Sequence, residues 1–79
     1  MRSSATLKLV DETKNRLRLY RMTICTTLFG EECLFVEWGR QGRRLRARSE
    51  YFATALELEQ RFSELLELRL SHGYTEALA

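Results

Sequence analysis

The sequence has no proline, two cysteines and one histidine in 79 residues. Without proline, a proline-rich linker or docking segment is excluded. Cys25 and Cys33 are too few for a disulfide framework, and with His72 they fall short of the four ligands of a structural zinc site. We therefore expect no metal and no cofactor. We interpret the cysteines as small strand residues of a reduced protein, with a redox role as the alternative.

Long apolar runs are absent as well. No segment approaches the length that crosses a bilayer, and the first residues lead into Lys8 without the apolar stretch of a signal peptide. We therefore expect a cytoplasmic protein with no membrane partner. The length, with 44% hydrophobic and 30% charged residues, is typical of one small globular domain over 1–79, with an ordered core at about 5–74.

Groups that catalyse reactions are scarce too. His72 stands beside Gly73 at a predicted helix end, where a capping role is the ordinary explanation. No Ser/His/Asp or Cys/His grouping is evident, and the carboxylates Glu57 and Glu64 belong to a solvated helix face. We predict that the protein is not an enzyme and has no catalytic residues.

Charge is abundant and unevenly distributed. The formal net charge is only +2, yet residues 1–49 carry eleven basic and five acidic side chains, a net charge of +6. Residues 50–79 carry two basic and six acidic side chains, a net charge of −4. This asymmetry favours one face that binds a polyanion and another that repels it. The alternative is that the acidic segment folds over the basic one.

Alternation and turn residues predict strands in the first half, and a longer period predicts one helix in the second. The helix is predicted to begin after an N-cap at Ser49 and to end before Gly73. Its apolar stripe consists of Phe52, Ala55, Leu56, Phe62, Leu65, Leu66 and Leu70, opposite a wet face with Glu57, Glu64 and Glu67. The predicted strands are Thr6–Val10, Arg16–Thr27, Cys33–Trp38 and Arg43–Arg48. The predicted fold class is α+β, a small antiparallel sheet of about four strands with one C-terminal amphipathic helix packed on one face.

Two features of this pattern leave alternatives open. In the second strand Leu17 and Leu19 share one parity and the apolar residues from Tyr20 onward share the other, which predicts a bulge or a strand covered on both sides. In the helix, Glu59 and Arg69 fall inside the apolar arc. Either both side chains extend to the edge of the sheet, or Glu59 orients an arginine of the sheet.

The most informative segment begins with Trp38. Gly39 and Gly42 remove side chains on either side of Arg40, so a flat group could approach the backbone there. Trp38 is either a platform for a base or sugar, or a core residue at a strand end.

A row of arginines follows this turn. In an alternating strand Arg44, Arg46 and Arg48 point the same way, about 6.6 Å apart, which resembles the spacing of phosphates along a nucleic-acid strand. Guanidinium groups suit phosphates because they offer forked donors. The row therefore favours anion binding, with a solvated strand face as the alternative.

Trp38-Gly39-Arg40 followed by Gly42 resembles the signature of the WGR domain family. The resemblance covers about residues 5–74 and includes Asn15, Arg18-Leu19-Tyr20, Leu28-Phe29-Gly30, Arg69 and Gly73-Tyr74. It implies a compact antiparallel sheet with one helix. These 79 residues hold no ADP-ribosyltransferase, zinc-finger or regulatory helical domain, so they most resemble short, stand-alone bacterial members.

The resemblance also implies a function. In DNA-dependent poly(ADP-ribose) polymerases the WGR domain binds the broken end of DNA. By resemblance Trp38 would contact a nucleotide sugar, Gly39 would let the backbone approach, and Arg40 would meet a phosphate or a neighbouring domain. Arg18 and Asn15 would add backbone contacts. We therefore expect a module that binds DNA, at ends or nicks. The alternative is a protein-interaction or accessory domain of a larger complex without direct nucleic-acid contact.

Overall fold

The computed structural model describes residues 3–77, in which five strands form one antiparallel sheet in the order β4-β3-β2-β1-β5. The elements are β1 (Ser4–Asp11), β2 (Arg16–Thr26), β3 (Glu32–Arg40), β4 (Arg46–Phe52), α1 (Ala55–Ser71) and β5 (Thr75–Glu76). The predicted α+β class is confirmed. The additional strand β5 has two residues, which pair with Leu7 and Lys8 of β1. Met1, Arg2, Leu78 and Ala79 of the predicted domain lie outside the described residues.

The core lies between α1 and one face of the sheet. Residues that are directly opposed on neighbouring strands point to the same face, so the register aligns the apolar side chains of β1, β2 and β3. The core consists of Ala5, Leu7, Tyr20, Met22, Leu34, Val36, Leu58, Phe62 and Leu65. We term this the helix-side face of the sheet and the opposite one the open face.

Strand β2 contains no bulge. Its pairing with β1 runs without a break from Ser4–Thr23 to Asp11–Arg16, and its pairing with β3 is equally continuous. The predicted bulge is therefore wrong. Leu17 and Leu19 lie half-buried on the open face, so β2 is apolar on both faces although α1 covers only one.

The helix begins at Ala55 and not after Ser49 as predicted. Ser49 and Glu50 belong to β4, which runs from Arg46 to Phe52 because it pairs with β3 along this length. The N-cap is Thr54, whose Oγ1 accepts a hydrogen bond from the Glu57 amide at 3.2 Å. Thr54 and Glu57 have the spacing of a capping box, a sequence signal that the prediction overlooked.

The buried side of α1 differs from the predicted stripe. Leu58, Phe62 and Leu65 are buried, and Leu58 was not predicted. Leu56 and Leu70 are exposed, as is Ala55, whereas Phe52 belongs to β4 and packs against the core from there. The buried face of α1 is therefore formed by positions 58, 62, 65 and 69, and it is rotated about the helix axis relative to the predicted stripe. Glu57, Glu64 and Glu67 are exposed as predicted.

Gly73 ends the helix as the sequence predicts. Its φ is 96°, a conformation that favours glycine. The Gly73 amide donates to the Leu70 carbonyl and the Tyr74 amide to the Arg69 carbonyl, each at 3.1 Å. These two bonds form a Schellman motif, which returns the chain toward the helix end and places Tyr74 beside Arg69. Within residues 3–77, no helix is long and apolar enough to cross a membrane.

Candidate nucleic-acid interface

Strand β3 leads into a tight turn after Arg40. The Arg43 amide donates to the Arg40 carbonyl at 3.1 Å, and Gly42 has a φ of 86°. These are features of a type II turn, whose third residue takes a positive φ. The Gln41 amide donates to the Leu17 carbonyl at 2.7 Å. The turn is therefore held against β2.

Gly39 makes room for a side chain of the same domain. Its φ is 149°, and a Cβ at this position would lie 3.1 Å from Leu45 Cδ2 and 3.5 Å from Leu45 Cα. Leu45 thus occupies the space that a side chain at Gly39 would need, and it does so on the open face, away from the side chains of Trp38 and Arg40. Gly39 therefore has a packing role, and its predicted contact with a ligand stays a prediction.

The register brings four arginines and the tryptophan to the helix-side face. Arg18 lies opposite Arg40, and Trp38 lies opposite Arg46. Arg48 follows Arg46 by two positions and shares its face. We term these five residues, Arg18, Trp38, Arg40, Arg46 and Arg48, the arginine surface. Arg44 is exposed in the loop before β4, so only two of the three arginines of the predicted row lie in the strand.

For Trp38 the structure supports the core alternative, and contact with a base or sugar stays a prediction. Trp38 is half-buried and packs against the core. The guanidinium carbon of Arg48 lies 5.8 Å from the centre of its ring. Trp38 is therefore anchored by the core while an arginine contacts its ring.

The carboxylate that orients a sheet arginine comes from β4 itself. Glu50 Oε2 lies 3.5 Å from Arg48 Nη2, and Arg61 Nε of α1 donates to Glu50 Oε1 at 3.3 Å. Glu50 thus joins the helix to the arginine surface. Glu59, which one alternative placed in this role, is half-buried and takes part in none of the ion pairs among residues 3–77.

A cleft of about 200 Å³ lies beside the arginine surface and is lined by Tyr20, Trp38, Arg48 and Arg69. The guanidinium carbon of Arg69 lies 4.2 Å from the centre of the Tyr20 ring and 5.9 Å from that of Tyr74. Arg69 therefore stacks over the central strand β2, and the predicted position at the edge of the sheet is wrong. The sequence signals for this cleft were the place of Arg69 in the apolar arc and the inclusion of Tyr20, Trp38 and Arg69 in the family resemblance.

Arg69 also has an unused hydrogen-bond donor. Its Nε is buried and has no hydrogen-bond partner among residues 3–77. A buried donor without a partner costs about 1–3 kcal/mol. An acceptor group that entered the cleft could accept this bond.

Asn15 lies outside the strands that carry the arginine surface. It ends the turn between β1 and β2, where its amide donates to the Glu12 carbonyl at 3.3 Å and its φ is 49°. Asparagine tolerates this left-handed conformation better than most residues, so the turn itself explains Asn15. Its predicted contact with nucleic acid stays a prediction.

The charges of the arginine surface are largely unneutralised. Among residues 3–77 the ion pairs engage Arg21, Arg48 and Arg61, and none engages Arg18, Arg40 or Arg46. Close by, a hydrogen bond of 2.7 Å from Thr13 Oγ1 lowers the pKa of Asp11, and the charges of Lys14 and Arg18 add to this effect. Residues 3–77 contain no group of three or more His, Cys, Asp and Glu side chains that could hold a metal ion.

Together the fold and this surface define a small α+β domain, in which the part of a sheet face beyond the helix carries arginines and a tryptophan. A family model described as the WGR domain matches residues 3–79. The chain therefore belongs to the WGR domain family, as its sequence predicts.

A similar protein is "Uncharacterized protein y4dW" of Sinorhizobium fredii (strain NBRC 101917 / NGR234), with 32% identity over 65 residues that cover 82% of this chain. The chain spans 32% of the length of that relative. No solved structure matches the chain.

Proposed function

We propose that this WGR domain binds duplex DNA, at ends or nicks, through the arginine surface. The observation that carries the proposal is the presence of Arg18, Arg40 and Arg46 on one sheet face, where none of them forms an ion pair among residues 3–77. Guanidinium groups bind phosphate oxygens through forked donors, and each phosphate contact releases counterions from DNA.

The terminal nucleotide would lie at the cleft. Trp38 offers an apolar ring surface for a sugar or a base, and Arg69 Nε offers a buried donor beside it. A DNA end exposes its terminal sugar and one face of its terminal base pair. In the interior of a duplex both faces of each base pair are stacked. The combination of Trp38 with free arginines therefore supports end or nick binding over binding along the duplex.

The test is a fluorescence anisotropy titration of labelled blunt, nicked and single-stranded DNA with the 79-residue protein at low salt. We expect binding of the blunt and nicked duplexes at micromolar concentrations or below. The double substitution Arg40→Glu with Arg46→Glu should weaken binding tenfold or more, because it reverses two charges on the arginine surface.

Lys8→Glu with Arg21→Glu is the matched control. Both side chains are exposed on the open face, and this double substitution changes the formal charge equally. It should leave DNA affinity within about threefold of the wild type. Thermal unfolding of both variants checks that each is folded. Equal weakening by the two double substitutions would refute a role for the arginine surface.

A second measurement addresses Trp38. It is the only tryptophan of the chain, so intrinsic fluorescence reports on it alone. Binding of unlabelled blunt DNA should quench this fluorescence, and Trp38→Phe should reduce affinity for ends more than affinity for the interior of a long duplex. Unchanged fluorescence at saturating DNA would contradict contact between Trp38 and a nucleotide.

An accessory role in protein interaction is the second candidate function. It is favoured by Leu28 and Phe29, which are 102% and 91% exposed at the β2–β3 turn, and by the acidic outer face of α1. Exposed apolar residues of this kind commonly mark interaction sites. If no DNA form binds at micromolar concentrations, this function replaces the first.

A further inference from the structure

The two cysteines lie directly opposite each other on β2 and β3. Cys25 pairs with Cys33 in the sheet register, and both thiols are free. Opposed residues of an antiparallel pair have Cα atoms about 4.5–5.5 Å apart, within the range of about 4.4–6.8 Å that disulfides span. Alternation places both thiols on the open face, away from the arginine surface.

The two thiols differ in access to solvent. Cys25 is exposed, whereas Cys33 is 4% exposed. Burial raises the pKa of the Cys33 thiol, and the neighbouring Cys25 side chain raises it further. A dissolved oxidant therefore reacts first with Cys25, and Cys33 is the shielded thiol on the facing strand.

We propose that Cys25 and Cys33 form a reversible intramolecular disulfide when the protein meets a hydroperoxide. The Cys25 thiolate attacks the O–O bond: an S–O bond forms, the O–O bond breaks, and the leaving oxygen departs as water or alcohol after it takes up a proton. Cys25 is then a sulfenic acid. The Cys33 sulfur attacks it, an S–S bond forms, the S–O bond breaks, and the oxygen leaves as water with the proton of Cys33. The two thiols lose two electrons and the peroxide gains them.

The register also predicts that the bond is easily reduced. The Thr27 amide donates to the Glu31 carbonyl at 3.0 Å, and hydrogen-bonded pairs alternate along antiparallel strands, so Cys25 and Cys33 form the next hydrogen-bonded pair. Cβ atoms of such a pair lie about 5.5 Å apart, against about 3.8 Å in a disulfide. Closing the bond must draw the strands together at the hairpin end, and strained disulfides are the more readily reduced ones.

The experiment treats dilute wild-type protein with hydrogen peroxide and follows free thiols and intact mass. We expect both thiols to disappear together, the monomer mass to fall by that of two hydrogen atoms, and dithiothreitol to restore both. Disulfide-linked dimers as the main product, or direct conversion of Cys25 to sulfinic acid, would overturn the proposal.

Single substitutions test the order of events. Cys33→Ser should accumulate a sulfenic acid at Cys25 that dimedone traps, while the wild type should give at least tenfold less of this adduct. If Cys33→Ser fails to fold, Cys33→Ala tests the same point with an apolar residue in the buried site. In Cys25→Ser, Cys33 should react with peroxide at least tenfold more slowly than Cys25 does in the wild type. An equal dimedone yield in the wild type and the Cys33 variant would refute the resolving role of Cys33.

Discussion

At the scale of the residue, Gly30 and Gly39 require glycine for different physical reasons. Gly30 has a φ of 81° and open space around the position of a Cβ, so only the backbone conformation requires glycine. Gly39 combines a φ of 149° with Leu45 Cδ2 at 3.1 Å from a Cβ. At Gly39 both the backbone conformation and the space taken by Leu45 therefore require glycine.

This difference yields a prediction for alanine substitutions. Gly30→Ala should lower the free energy of unfolding by about 1 kcal/mol through backbone strain alone. Gly39→Ala should lower it by about 2–4 kcal/mol, because overpacking against Leu45 adds to strain. Urea unfolding followed by circular dichroism measures both values.

The double mutant Gly39→Ala with Leu45→Ala separates the two causes. Removing the Leu45 side chain should restore part of the stability lost in Gly39→Ala, giving a favourable coupling of about 1 kcal/mol in a double-mutant cycle. Strict additivity of the two substitutions would show that the contact with Leu45 does not contribute to the stability lost in Gly39→Ala.

At the scale of the element, the boundary between β4 and α1 is decided by pairing. Ser49 has the chemistry of an N-cap, but at Ser49 the chain is still hydrogen-bonded to β3, and the helix starts only where that pairing ends. Thr54 then provides the cap. The pairing of β4 with β3 therefore outweighs the preference of Ser49 for an N-cap position, and the helix begins six residues later, at Ala55.

Alanine substitutions at Ser49 and Thr54 test which of these two residues caps the helix. Thr54→Ala should lower the free energy of unfolding by about 1 kcal/mol, because the Glu57 amide loses its acceptor. Ser49→Ala should change it by less than about 0.5 kcal/mol, because Ser49 is an exposed strand residue. Thermal denaturation of both variants at one pH makes the comparison, and a larger loss for Ser49→Ala would contradict the observed helix start.

The sequence predicted the elements that depend on local pattern. The strands β1, β2 and β3 and the glycine stop at Gly73 follow from alternation and from turn chemistry, and they lie within two residues of their predicted bounds. Strand β5 escaped prediction because two residues carry no periodic signal and pair only once the helix has returned the chain to β1. The cleft also escaped prediction, because Tyr20 and Arg69 are distant in sequence and meet only when α1 packs on the sheet.

At the scale of the whole molecule, basic and acidic side chains occupy different surfaces, although the formal net charge is only +2. Arginines occupy the helix-side face of the sheet, while Glu57, Glu64 and Glu67 lie on the outer side of α1. The acidic helix does not neutralise the arginine surface as a whole, because Glu50 alone pairs with it among residues 3–77. A polyanion is therefore attracted to one side of the molecule only.

This separation predicts the salt dependence of DNA binding. If Arg18, Arg40, Arg46 and Arg48 each neutralise one phosphate, the logarithm of the association constant should fall with the logarithm of salt concentration with a slope of about −3 to −4. Arg46→Gln should reduce the magnitude of this slope by about 1, and Lys8→Gln should leave it unchanged. A slope near zero for the wild type would exclude phosphate contacts as the source of affinity.

Strands β2 and β3 are the two longest strands and form one continuous antiparallel hairpin. Arg18 and Arg40 pair near its open end, and Leu28 and Phe29 occupy its turn. The strand residues between Arg18 and Thr26 span about 27 Å at the usual rise per residue. The hairpin therefore separates the two surfaces by that distance, so a second molecule held at Leu28 and Phe29 would bind away from a DNA end held at the arginines.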